Sequence, residues 1–328
     1  MRVSVAIPAY NEEESLHGCL EQLREACASR PEEFEFVVVD DGSTDGTWET
    51  ILAEARADER VRGLRLSRNF GHQRALSAGL AAARGDAVVT MDADLQHPPE
   101  VVPALLDKAG EGFDVVYAVR SSRDEEGFFK TRSARAFYWL LNRFSKLDLP
   151  FSGGDFRFMS RRVVDLLNEM PERQRFLRGM TRWVGFEQTT LRYDRPKRSA
   201  GSTKYSLRHM VGFGVDALVS FSAVPLRLAS WIGFVVAGLG ALYLLYTLLS
   251  WALTDDTIEG WTSVIGAVLV LGGVQLLCLG ILGQYVGRMY DEDKRRPMFV
   301  VWEDTSELPE DQEAWTEISE RAGMSSSG

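Results

Sequence analysis

Short apolar runs alternate with amphipathic stretches through the first 120 positions. Val3–Ile7, Phe34–Val39, Val61–Leu66, Ala87–Met91 and Phe113–Val119 are brief, rich in Val and Phe, and bounded by turn residues, which predicts strands. Between them the spacing of apolar positions predicts helices over about 13–28, 47–57, 71–83 and 99–110. Strands that are apolar throughout and followed by helices read as βαβ units. They predict an α/β fold with a mostly parallel sheet covered on both faces, whose ligands bind beyond the carboxyl ends of the strands.

The pattern changes toward the C-terminus. Residues 228–254 and 261–287 contain no Asp, Glu, Lys or Arg. Each run exceeds the ~20 residues that cross a bilayer core, which predicts a two-helix transmembrane hairpin. The stretch from Tyr205 to about 222 is partly amphipathic and precedes the first run, as an interfacial helix would; Tyr290–Val301 gives a second candidate of this kind. The division expected is therefore a large α/β domain at 1–204, a juxtamembrane helix at 205–227, spans at 228–254 and 261–287, and a C-terminal segment at 288–328.

Charge supplies an orientation. The connector Asp255-Asp256-Thr257-Ile258-Glu259-Gly260 has no base, while Arg227 precedes the first span and Arg288, Lys294, Arg295 and Arg296 follow the second. Positive flanks stay cytoplasmic, so both termini and the large domain are expected in the cytosol and the acidic connector outside. The N-terminal apolar stretch is too short for a signal peptide. A net charge of −10 argues against nucleic acid as a partner. Glu303, Asp304, Glu307, Glu310, Asp311, Glu313, Glu317 and Glu320 against Arg321 read as a solvated acidic tail. Cys19, Cys27 and Cys278 form no CxxC pair and support neither a zinc site nor a disulfide framework.

Candidate chemistry clusters after the strands. Met91-Asp92-Ala93-Asp94 follows an apolar run, and if the strand continued, Asp92 and Asp94 would face one side of it. Two carboxylates that leave most of a coordination sphere open suit Mg²⁺ or Mn²⁺ shared with a phosphate-bearing ligand. A polar turn would explain a bare DxD equally well. Asp40-Asp41-Gly42-Ser43 after the second strand carries more acid than a cap needs, and a carboxylate there can accept from a base N–H or a ribose hydroxyl. Arg123, Lys130, Arg132 and Arg135 form a cationic helix–loop suited to a phosphate, or else interfacial anchors. Arg173, Arg175, Arg178 and Arg182 read as a membrane-facing or core-bordering surface, and His72 and His97 as structural residues among turns.

PAYNEE (8–13), VDDGSTDGT (39–47), RNFGHQ (68–73), DADLQHPPE (92–100), GGDFRF (153–158) and RSAGSTKYS (198–206) occur in this order. With two C-terminal spans, the chain resembles family 2 inverting glycosyltransferases of the Rossmann-like GT-A fold. Within them it is most similar to the polyprenyl-phosphate glycosyltransferases, which include dolichol-phosphate mannose synthases and bacterial undecaprenyl-phosphate glucosyltransferases. The resemblance runs from Val3 to about Glu303. It implies that Pro8, Tyr10, Glu12, Val39 and Asp41 line the nucleoside half of a nucleotide-sugar site. Asp92, Ala93 and Asp94 would hold the metal and diphosphate, with Gln96 near the sugar. Arg120, Arg198 and Lys204 match positions that contact the phosphates, and the small residues of 198–204 suit a closing loop. Asp94, Asp155, Arg198 and Lys204 are the implied catalytic set.

The resemblance makes Asp155 a candidate general base. A phosphate monoester, however, is largely an oxyanion at neutral pH and needs positioning more than deprotonation, so Asp155 is assigned to orienting the acceptor or its cationic clamp, with base catalysis as the alternative. The implied reaction moves a sugar from a nucleotide-sugar, UDP-glucose before GDP-mannose, to polyprenyl phosphate at a bacterial or archaeal plasma membrane. Relatives with this hairpin imply a homo-oligomer, a tetramer among the options. Two other readings compete with it: a processive polysaccharide synthase of the same superfamily and an inactive nucleotide-binding scaffold. The first is disfavoured because Gly179-Met180-Thr181-Arg182-Trp183 lacks the Gln of the Gln-x-x-Arg-Trp motif; the second, by the intact Asp92, Asp94, Arg198 and Lys204.

Overall fold

The computed structural model describes residues 1–120, 153–173, 175–193, 224–254 and 260–307. They divide into two units, one containing 1–120, 153–193 and 297–307, the other 224–254 and 260–296.

The first unit is built on β1 (Arg2–Ala9), α1 (Glu13–Cys27), β2 (Glu33–Asp40), α2 (Thr47–Ala57), β3 (Val61–Leu66), α3 (His72–Ala82), β4 (Ala87–Thr90), α4 (Val101–Ala109) and β5 (Val115–Arg120). It continues with β6 (Gly153–Ser160), α5 (Arg161–Glu169), α6 (Leu177–Trp183) and β7 (Gln188–Tyr193), and closes with β8 (Val301–Asp304). The eight strands lie in the order β7-β5-β6-β4-β1-β2-β3-β8. β1 pairs in parallel with β2 and β4, β2 with β3, and β5 with β7, whereas β6 and β8 run antiparallel to their neighbours. The expected parallel half is present, and the sheet as a whole is mixed.

Alternation along each strand sorts side chains to two layers. Val3, Val5 and Ile7 of β1, with Phe34, Phe36 and Val38 of β2, pack beneath Leu16, Leu20 and Leu23 of α1, Trp48 and Ile51 of α2, and Val102 and Leu105 of α4. On the opposite face Ala6, Val88, Val115 and Met159 meet Leu76 and Leu80 of α3, Val163 and Leu167 of α5, and Met180 of α6. Val37 and Val39 extend that layer with Leu66, Ala75 and Ala78. Burial on both faces is why these strands read as uninterrupted apolar runs.

β8 corrects the reading of the tail. Residues that follow the long helices return to the first unit and pair with the edge of β3, Leu64 opposite Asp304 and Arg65 opposite Glu303. Glu303 accepts from Trp48 Nε1 at 3.1 Å and pairs with Arg65, whose guanidinium lies over the rings of Trp48 and Trp302. Asp304 accepts from Arg62 at 3.1 and 2.5 Å. Glu303 and Asp304 are thus counter-ions of a strand rather than members of a solvated tail. Tyr290–Val301 is likewise no single interfacial helix, since helix ends at Asp293 and the strand begins at Val301. Burial alone would raise the Asp304 carboxyl; Arg62 and Ser306 outweigh it and hold the group below its ordinary range. Asp304→Ala leaves the mostly buried Arg62 without its anion and is expected to cost about 1–3 kcal/mol, read as a lower thermal midpoint of the purified chain; an unchanged midpoint would show that the pair adds nothing.

The second unit contains α7 (Val224–Thr254) and α8 (Trp261–Asp293), which touch each other, Cys278 Sγ lying 3.5 Å from the Ala229 carbonyl. Among the described residues one helix, over Gly266–Asp293, is long and apolar enough to cross a membrane, with mean hydropathy 2.2; α7 contains the shorter apolar stretch Ala229–Gly240. Leu271, Leu276, Leu277, Leu279 and Leu282 of α8 are exposed.

Candidate active site

Parallel strands bring the ends of β1, β2 and β4 to one edge, Ala9 beside Asp40 and Ala6 beside Thr90. β6 is inserted antiparallel between β4 and β5, with Thr90 opposite Arg157. Its first residues therefore start where the other strands finish, and this reversal puts Asp155 at the same edge as Asp92. The Thr90 hydroxyl donates to the Asp155 carbonyl and ties the two strands there.

Asp155 is 7% exposed and surrounded by cations. Arg157 Nη2 donates to Oδ1 at 2.5 Å; Arg178 donates from Nε to Oδ1 and from Nη2 to Oδ2, both at 3.2 Å. Gln73 Nε2 adds a bond to Oδ2 at 3.1 Å, while Gln73 Oε1 accepts from the Leu177 N–H at the start of α6. Arg157 is itself buried and donates to Thr181 Oγ1 at 2.9 Å. Burial would raise the Asp155 carboxyl, but Arg178, His72 and Arg157 more than offset it and hold the group well below the usual carboxylate range. A carboxylate that keeps its charge so firmly is a weak proton acceptor and a strong anchor for guanidinium groups.

His72, at the N-terminus of α3, joins this cluster to the acidic loop. Its Nε2 lies 3.4 Å from Asp155 Oδ2 and 3.6 Å from Asp92 Oδ1. Burial favours the neutral ring, yet Asp155 and Asp92 together push the imidazole above its ordinary range. On the other side of the loop, the Asp92 N–H donates to His97 Nδ1 at 3.0 Å, and the Asp92 carboxylate lies 3.4 Å from the same nitrogen. His97 is buried and stacks on Phe156, centroids 5.0 Å apart, so β6 also backs the acidic loop.

The strand-face argument for Asp92 and Asp94 does not hold, because β4 ends at Thr90 and both residues lie in the loop beyond it. The loop itself bends them. Leu95 sits at φ 57°, a left-handed conformation costly for a residue with a side chain, and Asp94 Oδ1 accepts from the Gln96 N–H at 3.0 Å. Asp92 is about one-third exposed. Asp94 makes no ion pair among the described residues. The acidic field is felt nearby: burial raises the Glu12 carboxyl despite its bond from Ser15, and Asp94 and Asp92 raise it further. Burial, with the same two charges, pushes the Cys19 thiol beneath them up to about 12. Among the described residues no three His, Cys, Asp or Glu side chains are grouped to hold an ion alone. Two neighbouring carboxylates, Asp92 beside two imidazole rings and Asp94 without an ion pair among the described residues, fit an ion that draws its remaining ligands from a diphosphate and water.

The nucleoside candidates separate. Tyr10 is 44% exposed at the tip of β1, and Asn11, at φ 54°, ties that tip to the next loop by accepting from the Thr44 N–H and donating its own N–H to Ser43. The Glu12 N–H donates to Thr47 Oγ1. Asp41 is buried, and its two oxygens accept from the Phe70 and Gly71 N–H groups at 2.7 and 2.9 Å, so it visibly pins the Arg68–Gly71 loop. Gly42, at φ 68°, lets that loop approach; a Cβ there would lie 2.5 Å from the Arg68 carbonyl carbon. Val39 and Ala93 are core residues, and Pro8 is buried in β1. Gln96 is half-buried beside Asp94. Arg120 ends β5, its side chain outside the described residues, as are Arg123, Lys130, Arg132, Arg135, Arg198 and Lys204.

Sequence reading missed Gln73 and Arg157, took Arg178 for a membrane-facing or core-bordering residue and set His72 and His97 aside. The available signal was Arg157 within the apolar GGDFRFM run, where a charge requires a buried partner.

Residues 4–167 match the glycosyl transferase family 2 model, and residues 224–289 match the GtrB C-terminal hairpin. The chain is 43% identical over 301 residues to the uncharacterized glycosyltransferase YkcC of Bacillus subtilis, covering 92% of this chain and 93% of that one. It is 39% identical over 301 residues to the bactoprenol glucosyl transferase of Shigella phage SfV, covering 92% and 98%. Among solved structures, glucosyl-3-phosphoglycerate synthase from Mycobacterium tuberculosis, in complex with Mn²⁺, UDP and glucosyl-3-phosphoglycerate, aligns with TM-score 0.46 and 22% identity over 68% of this chain and 80% of that one.

Proposed function

The chain belongs to glycosyl transferase family 2, and from that membership we propose that it transfers a sugar, glucose first among the candidates, from a nucleoside diphosphate to polyprenyl phosphate. One observation carries the reading: an acidic loop suited to a metal-bound diphosphate stands one imidazole away from a guanidinium clamp suited to a second phosphate. The relatives named for bactoprenol glucosyl transfer and the match to the GtrB hairpin support the lipid acceptor.

Asp92 and Asp94 would hold Mg²⁺ or Mn²⁺. When bound, the ion neutralises charge gathering on the departing diphosphate. His97 fixes the Asp92 backbone, and the Gln96 N–H orients Asp94. Tyr10, Glu12 and Asp41, with the loop that Asp41 pins, would hold the nucleoside. Arg120, Arg198 and Lys204 are assigned to the phosphates, and Arg123, Lys130, Arg132 and Arg135 to the acceptor. In the transfer, an oxygen of the lipid phosphate bonds to the anomeric carbon as the bond from that carbon to the diphosphate oxygen breaks, and the electron pair leaves with the nucleoside diphosphate. Displacement from the opposite face inverts the anomeric centre. No proton need move, because a phosphate monoester is mostly dianionic at neutral pH. Asp155 accordingly acts as counter-ion and orienting group.

We place the protein in the membrane through the pair α7 and α8, with the catalytic unit on the cytosolic side. The exposed leucines of α8 and the bases flanking the charge-free runs support this. The test is incubation with polyprenyl phosphate and a mixture of UDP-glucose, GDP-mannose and other nucleotide-sugars, with and without EDTA, followed by mass analysis of the lipid. A metal-dependent hexosyl phospholipid, glucosyl first, is expected. No glycosylated lipid from any donor would overturn the assignment.

A further inference from the structure

The C-terminal strand β8 supports both loops that would hold the nucleoside. The first is the turn after β2. Asp40 ends that strand with no exposed surface, and its Oδ1 accepts from the Ser43 N–H at 2.9 Å. Ser43 Oγ in turn accepts from the Asn11 N–H at 3.0 Å, and Asn11 Oδ1 from the Thr44 N–H at 2.9 Å. The turn therefore holds Asn11 in its left-handed conformation, next to the exposed Tyr10. The second loop is Arg68–Gly71, pinned by Asp41. The residue before it is fixed from the C-terminal end of the chain, because the Ser67 N–H donates to the Val300 carbonyl at 2.9 Å. Phe299 packs on the same apolar cluster as Phe70.

One oxygen of Asp40 remains after the bond from Ser43. Oδ2 is buried, and no donor among the described residues reaches it within hydrogen-bond distance; Arg65 Nε lies 3.6 Å away. A carboxylate enclosed in this way needs a fixed cation to offset its desolvation. Arg65 is that cation, and the C-terminal strand fixes it. Its Nη1 donates to Glu303 Oε1 at 3.3 Å, and its guanidinium lies over the Trp302 and Trp48 rings, 4.9 and 5.7 Å from their centroids. Glu303 is itself anchored by Trp48 Nε1. A line of contacts thus runs from Trp302 and Glu303 through Arg65 and Asp40 to Ser43, Asn11 and the tip of β1.

We propose that β8 is part of the scaffold of the donor site: Trp302 and Glu303, acting through Arg65 and Asp40, position the turn that receives the nucleoside diphosphate. Loops already set in the bound conformation lose less freedom when the ligand arrives, so loosening Arg65 is felt in donor affinity. Arg65, Trp302 and Glu303 act through Asp40 as positioning residues. The inference rests on the assignment of Tyr10, Glu12 and Asp41 to the nucleoside. It also gives a function to the return of the chain to β3 after the two long helices.

The test is binding of UDP and of GDP, each with Mn²⁺, to the full chain in detergent, with thermal midpoints and steady-state kinetics on undecaprenyl phosphate measured alongside. Arg65→Gln keeps a stem between the two indoles and removes the charge. It is expected to weaken whichever nucleoside diphosphate the wild type binds by about 10-fold and to raise donor KM in step, with acceptor KM within about twofold. Arg65→Lys, which restores the charge, should recover part of the loss. Trp302→Ala, at a mostly exposed ring, guards against a variant that fails to fold and should weaken binding about threefold. Asp304→Ala is the control for stability alone. Asp304 follows Glu303 on β8 and pairs with Arg62, so its loss should lower the thermal midpoint and leave nucleoside diphosphate affinity within about twofold. Unchanged affinity in Arg65→Gln, or in Trp302→Ala where Arg65→Gln does not fold, overturns the proposal. So does an equal loss of affinity in Asp304→Ala, which would make β8 a support of the fold as a whole. A wild-type chain that binds neither UDP nor GDP fails the nucleoside reading and takes this proposal with it. One that binds either but glycosylates no lipid phosphate fails the acceptor reading alone, and the affinities still decide between these outcomes.

Discussion

Replacing Asp94 by Asn is expected to lower turnover about 1,000-fold, the scale of several kcal/mol of transition-state charge stabilisation. The substitution is nearly isosteric, and an Asn Oδ1 can still accept from the Gln96 N–H that Asp94 now receives at 3.0 Å. The loop, its left-handed Leu95 and the Asp92–His97 bond should survive. What is lost is charge, at a carboxylate that no described cation compensates. An unchanged thermal midpoint together with the collapse of nucleoside diphosphate release would separate this effect from misfolding. EDTA should bring the wild-type enzyme down to a similar floor. Near-normal release in the variant, or EDTA-insensitive turnover, would remove Asp94 from the proposed metal site.

Asp155→Ala should produce the largest loss of stability among single substitutions in the site. It strips the anion from Arg157, which is wholly buried, and from Arg178, leaving two adjacent guanidinium groups to repel one another. Breaking such a buried pair costs about 3–5 kcal/mol, a large fraction of the stability of an ordinary domain. Asp155→Asn keeps the hydrogen-bonding shape without the charge and should fall between. The pH dependence has a definite sign. The folded protein holds the Asp155 carboxyl well below its ordinary value, whereas the unfolded chain titrates near ~3.9. Its stabilisation is therefore complete above the unfolded value and is lost as pH falls through the folded one. Thermal midpoints of wild type and Asp155→Asn should thus differ most near neutrality and converge in acid. A gap independent of pH would mean that packing, not the ion pairs, is what the residue supplies.

The same cluster marks where sequence reading stopped. β1 to β5 and α1 to α4 were legible because each buries a local periodic pattern: Val61–Leu66 and the helix over 47–57 fall where the spacing puts them. β6 was not, because the charges of Asp155 and Arg157 break its apolar run and their place inside the protein shows only once their partners are known. Those partners, Gln73, Arg178 and Thr181, are distant in sequence and come together only when β6 is inserted beside β4. β8 was hidden for a similar reason. Glu303 and Asp304 resemble their acidic neighbours in composition, and only pairing with Arg65 and Arg62 across the sheet makes them strand residues.

The sequence by itself determined the α/β class, the clustering of chemistry after the strands, the two charge-free runs and, through its ordered motifs, the family. Each of those is local: an apolar period, a run length or a short motif survives as a pattern before anything folds. Only the tertiary structure decided that Asp155 is a clamped anion, that His72 joins it to Asp92, that Val39 and Ala93 are core, and that Arg178 pairs with Asp155. Burial, charge compensation and the direction of a side chain depend on which distant residues arrive beside it, and the antiparallel insertion of β6 settles that.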